Sequence, residues 1–82
     1  IKMAEQIDLT IENLKEQLNE FKLKISKCRK RGLNTKLAEV KIINIPSKIK
    51  MLEITKDLSD VKKINKLLDD ARIEIENIEK FI

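Results

Sequence analysis

The chain has 82 residues, with 18 Lys and Arg against 14 Asp and Glu, no His, one Cys, and Phe21 and Phe81 as its aromatics. That length makes one domain near the lower limit for a self-sufficient core, and the lack of His with a single Cys removes ordinary zinc sites and most acid–base and nucleophilic chemistry. The lone Cys cannot close a disulfide within the chain, and no apolar run approaches the roughly 20 residues that cross a bilayer.

Charged residues make up 39% of the chain, with one Gly and one Pro, a composition of long helices. The Ile, Lys and Glu bias is that of a thermophile's charged surface, and equally of an AT-rich genome. No signal-peptide pattern opens the chain, so a soluble cytoplasmic protein is expected. A start at Ile1 rather than Met points to a piece of a larger protein.

Ala4, Ile7, Ile11, Leu14, Leu18, Phe21, Ile25 and Cys28 are spaced 3-4-3-4-3-4-3. This heptad seam predicts a helix over about 3–31, about 43 Å long at 1.5 Å per residue. Leu9 and Leu23 lie off the seam and are expected to widen the apolar face. Glu12, Glu16 and Glu20 form an i, i+4 ladder of like charge, read as a solvated or partner-facing stripe. Cys28 falls on the seam and is expected to pack as a small hydrophobe.

The stretch KCRKRGLNTK, residues 27–36, ends that helix. Gly32 suits the left-handed C′ position, with Leu33 at C″ and Cys28 at C3 of a Schellman motif. Arg29, Lys30 and Arg31 occupy the last turn, where cations face the helix dipole favourably, and Asn34 or Thr35 caps the next helix. The competing reading makes Lys27, Arg29, Lys30, Arg31 and Lys36 anion contacts that neutralise phosphates without base specificity. No aromatic lies nearby to stack on bases, and the helices are long for a helix-turn-helix module.

Ala38, Ile42, Ile45, Ile49 and Leu52 carry a 4-3-4-3 seam and predict a helix over about 36–55. Pro46 interrupts it. A kinked but continuous helix is expected because the seam runs through, with a restart at Pro46 as the alternative.

Val61, Ile64, Leu68, Ala71, Ile75, Ile78 and Ile82 repeat the 3-4 spacing and predict a helix over about 58–82, broadened by Leu67, Ile73 and Phe81. Asp57 is its N-cap, with Asp60 at the third helical position and Ser59 as rival cap. Asp69 and Asp70, being adjacent, sit about 100° apart on a helix and make no general acid–base pair.

Residues 1–21 carry a net charge of −3, residues 22–50 of +9 and residues 51–82 of −2. Within the last helix Lys62, Lys63 and Lys66 come first and Asp69, Asp70, Glu74, Glu76 and Glu79 follow. A parallel first and third helix would then set the acidic start of the first against the basic start of the third, and the basic end of the first against the acidic end of the third. We therefore expect an all-α fold, an up-down-up three-helix bundle with coiled-coil-like heptad packing, a long first helix and a Pro-kinked second. In outline this resembles the helical chorismate mutases, whose long-helix arginines and downstream lysine hold a dicarboxylate. No arginine precedes Arg29 here and the inner face is aliphatic, so the resemblance transfers no catalytic residue.

The expected function is a non-catalytic helical module that binds or scaffolds protein, with a protein partner or a second copy seated on Leu9, Leu23, Leu67, Ile73 and Phe81. In the alternative, those residues simply complete the core. Neither a cofactor, a metal nor a small-molecule substrate is expected. Sequence-independent nucleic-acid binding through residues 22–36 is the second functional reading.

Overall fold

The computed structural model describes the backbone of residues 2–81 and the side chains of residues 6–81. Four helices follow one another: α1 (Lys2–Lys30), α2 (Lys36–Ile42), α3 (Ile45–Thr55) and α4 (Leu58–Glu79). Since α2 and α3 share one seam, they act as a single arm, and the molecule is an all-α bundle of three arms. Its Cα envelope is a rod of 47 × 16 × 16 Å.

The 3.6-residue turn of an α-helix puts the 3-4 spaced residues on one stripe, and those stripes form the core. Ile11, Leu14, Leu18, Phe21 and Ile25 of α1 are buried with Ala38, Ile42, Ile45, Ile49 and Leu52 of the arm and Ile64, Leu68, Ala71 and Ile75 of α4. Ile7, Val61, Leu67 and Ile78 pack against this cluster while partly exposed. Cys28 is buried and free. The seam positions Ala4 and Ile82, expected from the sequence, lie outside the described side chains.

The kinked continuous helix expected over 36–55 is corrected. The chain leaves the helix at Ile43–Asn44 and starts again at Ile45, with Pro46 in the first turn of α3. Pro46 has no N–H to give the carbonyl four residues back, and in a continuous helix its ring would strike that carbonyl, which belongs to Ile42. In a first turn the missing N–H costs nothing. The step is small because Ile43 (φ −62°, ψ −33°) and Asn44 (φ −95°, ψ −5°) stay near helical geometry. The Ile43 N–H donates to the Val40 carbonyl at 3.4 Å, and the Lys48 N–H to the Asn44 carbonyl at 3.2 Å. The buried face thus crosses the interruption without a change of phase.

Three ion pairs fix α1 against the arm: Asp8–Lys56 at 2.7 Å, Lys15–Glu53 at 3.0 Å, and Arg29–Glu39. As the α1 partner advances, the arm partner recedes. Fourteen residues separate Lys15 from Arg29 and fourteen separate Glu53 from Glu39, so the arm keeps a helical rise across its interruption. Among the described residues no ion pair joins α1 to α4, so the expected pairing of their charge gradients does not take that form. The fourth pair, Arg72–Asp69, lies within α4.

Candidate functional site

The basic stretch is built as a helix terminus in full. Gly32 has φ +82°, the left-handed region that a side chain disfavours. The Leu33 N–H donates to the Cys28 carbonyl at 3.1 Å and the Gly32 N–H to the Arg29 carbonyl at 2.9 Å. These are the two hydrogen bonds of the Schellman motif, at the residues expected for it. Asn34 Oδ1 then accepts the Lys36 N–H at 3.1 Å, while Thr35, at the N-cap position, makes no side-chain cap. The buried Thr35 hydroxyl donates instead to Glu39 Oε2 at 2.7 Å. Glu39 Oε1 accepts from the Arg29 guanidinium.

Of the five candidate anion contacts, Arg29 is therefore engaged in tying α1 to α2. Lys27, Lys30, Arg31 and Lys36 are exposed around the same turn, with no ion-pair partner among the described residues. The turn concentrates positive charge, yet its geometry is accounted for by helix termination alone.

The other helix-to-helix junction uses different residues. Lys56 closes α3 in the left-handed region at φ 55°, its N–H donating to the Leu52 carbonyl at 2.8 Å. Asp57 is the N-cap of α4, as expected. Its Oδ1 accepts the Ser59 N–H and hydroxyl, both at 2.9 Å. Those two bonds, chiefly the backbone one, hold the Asp57 carboxyl below its ordinary pKa, with Lys63 adding a smaller electrostatic pull. Lys15 moves the other way. The hydrogen bond and charge of Glu53 raise its pKa above the usual lysine value against a small desolvation effect, and Glu12 adds a lesser push.

The candidate partner surface is divided by the structure. Leu67 packs partly buried against the core and does widen the apolar stripe of α4. Leu9, Leu23 and Ile73 do not widen anything. Each lies two residues from seam positions on both sides, about 200° around the helix from each, and so points directly away from the core. Leu9 is 66% exposed, Leu23 64% and Ile73 54%. Phe81, just beyond α4, is 81% exposed and edges an open groove of about 300 Å³ with Leu33, Leu37 and Ile78. These residues occupy separate faces rather than one surface.

What the sequence reading missed is the outer face of the arm. Leu37, Val40, Ile43, Met51 and Ile54 are all exposed, followed by Leu58 at the start of α4. The signal was present, since Val40 lies midway between Ala38 and Ile42 exactly as Leu9 lies between Ile7 and Ile11. Lysines flank that face on its two sides: Lys48 borders a groove with Asp60 and Lys63, and Lys50 a groove with Lys15 and Glu53. Lys36, Lys41, Lys48 and Lys50 are exposed and pair with no acid among the described residues. The arm's two acids are turned toward α1, Glu39 to Arg29 and Glu53 to Lys15.

Among the described residues no group of three His, Cys, Asp or Glu is placed to hold a metal, and no helix is long and apolar enough to cross a membrane. A groove of about 400 Å³ beside the interruption gathers Lys22, Arg29 and Glu39 over Ile42, Ile43 and Pro46, but Arg29 and Glu39 already neutralise each other. No protein-family model, curated protein or solved structure matches this chain.

Proposed function

We propose that this chain is a non-catalytic helical module that binds or scaffolds protein chains through its outer helical faces, folded as an up-down-up bundle with heptad packing. The receding ion pairs between α1 and the arm support that order. One observation carries the functional reading. The core is closed by the inner seams, yet Leu9, Leu23, Leu37, Val40, Ile43, Met51, Ile54, Ile73 and Phe81 remain exposed. Scattered surface leucines need no explanation, but apolar residues gathered along one arm and rimmed by charge mark interaction surfaces. Work in the cytoplasm fits this role.

The competing reading, nucleic-acid binding through residues 22–36, has unpaired cations in its favour. A direct test titrates the protein against duplex DNA and single-stranded RNA at several salt concentrations, beside the variant Arg29→Gln, Lys30→Gln, Arg31→Gln. The proposal predicts no tight, salt-sensitive binding by either protein. Strong binding that falls steeply with salt and is lost in the variant would overturn it.

A further inference from the structure

We infer that two copies of this chain pair arm against arm, antiparallel about a two-fold axis, through a second heptad seam on the outer face of α2–α3. The inference rests on the protein-binding reading above and names the partner as a second copy.

The arm carries two seams. Beside the buried one, Leu37, Val40, Asn44, Ser47, Met51 and Ile54 are spaced 3-4-3-4-3, and all six are exposed. Val40 and Ser47 each lie midway between two buried seam residues, and Ile54 lies two beyond Leu52, so these three point straight away from the core. Leu37 and Met51 sit on the α4 side of that line, bordering grooves shared with Ile78 and Ile64 respectively. Asn44, seven residues from each, has their phase. A 3-4 stripe is the surface by which helices pair. The step at Ile43–Asn44 leaves the inner seam in phase, and with it the outer one.

Reversed, this seam is its own complement. With the axis between Ile45 and Pro46, Leu37 meets the partner's Ile54, Val40 the partner's Met51, and Asn44 the partner's Ser47. Each contact occurs twice, as an isologous interface requires. Every apolar layer joins an unbranched side chain to a β-branched one, and the two polar residues meet at the centre, where a lone Asn fixes register. A parallel pair would instead stack Leu on Leu at one core position and Val or Ile on itself at the other. That assignment is the one that leads away from two-stranded pairing.

The area suffices for a dimer. Leu37, Val40, Met51 and Ile54 are 57–78% exposed, and Ile43 beside them 68%. Side chains of this size leave about 100 Å² each in water at such exposure, so five on each copy bring together about 1,000 Å² of apolar surface. Asn44, Ser47 and the stems of the flanking lysines extend this to about the 1,200 Å² at which stable interfaces begin.

Charge sets the salt response. Lys48 flanks the seam on the α4 side, in a groove with Asp60, and Lys50 on the α1 side, in a groove with Glu53. Lys41, seven residues before Lys48, shares its flank. In the antiparallel register Lys41 faces the partner's Lys48, while Ile43 faces the partner's Lys50. Apolar contact thus forms against a like-charge repulsion, which salt screens.

Sedimentation equilibrium should show a monomer–dimer equilibrium of the 9.6 kDa chain, with the dimer favoured as salt rises. Val40→Gln with Ile54→Gln should give a monomer that still melts cooperatively, since both positions are exposed and Gln is a good helix former. Should that variant fold poorly, single charge changes serve instead. Lys48→Glu places opposite charges across the axis and should tighten the dimer several-fold at low salt. Lys50→Glu, an equal change of charge, faces Ile43 and should do less. For orientation, Asn44→Cys mixed with Ser47→Cys should cross-link on oxidation more readily than either alone, Cys28 being buried. A wild type that stays monomeric at every salt, leaving the face to another protein, overturns the inference. So do species that grow past the dimer, a dimer that survives the Gln substitutions, a Lys48→Glu no tighter than Lys50→Glu, or a Ser47→Cys that cross-links best with itself. The protein-binding reading is decided separately, by the nucleic-acid titration.

Discussion

The inner and outer faces of the α2–α3 arm are similarly apolar and have opposite fates. Ala38, Ile42, Ile45, Ile49 and Leu52 are buried, while Leu37, Val40, Ile43, Met51 and Ile54 are exposed. Residue type does not separate the two sets; position around the helix does. Burial of a side chain the size of Leu is worth about 1.5–3 kcal/mol, and the inner set collects that within the chain. For the outer set the same gain is open only to a contact with another molecule. Under the proposed function, one side of the arm serves folding and the other association.

The contrast can be broken most forcefully at Leu52, which is fully buried. Leu52→Ala should cost about 2–5 kcal/mol through lost burial and the cavity left behind, read by urea denaturation. Two residues along, Ile54→Ala should change monomer stability by no more than about 0.5 kcal/mol. A large loss at Ile54 would mean that the outer face belongs to the fold.

The two left-handed helix ends sharpen the contrast at a smaller scale. A Cβ on Gly32 meets nothing within 4 Å, so Gly32→Ala should cost only the backbone conformation, about 1–2 kcal/mol. Lys56 already carries that strain, and Lys56→Gly should stabilise the protein by up to about 1 kcal/mol, offset in part by the lost surface pair with Asp8. Thermal melts of the two variants should move in opposite directions.

Smaller still is the acid response of the α4 cap. The folded-state pKa of Asp57 is lowered, so the stability it contributes is present above its unfolded value and is lost as pH falls through the folded one. Asp57→Asn keeps an N-cap oxygen without the titration. The variant's melting temperature should therefore decline less steeply than wild type below about pH 4.

Much of the architecture was legible because it is periodic or local. The α1 seam from Ile11 to Cys28, the Schellman motif at Cys28, Gly32 and Leu33, and the Asp57 cap each depend on residues within a few positions of one another. The break at Ile43–Asn44 was harder to read, since the seam and Pro46 argue in opposite directions. The structure satisfies both by restarting the helix in phase. A left-handed Lys56 leaves no mark in the sequence, because lysine is not chosen for that conformation. For the candidate surface, Leu9 and Leu23 look like a broadened seam in the sequence, although their two-residue offset places them opposite it. The outer arm residues have the same offset from a seam that is itself apolar, so the sequence shows one apolar run where the helix has two faces.

Sedimentation equilibrium of the wild-type chain, across protein concentration at low and high salt, tests the central claim that the outer apolar faces are intermolecular. Intermolecular apolar faces predict a molar mass above 9.6 kDa that rises with concentration at both salt strengths, because apolar burial is not screened by salt. A mass fixed at the monomer value under every condition would contradict it.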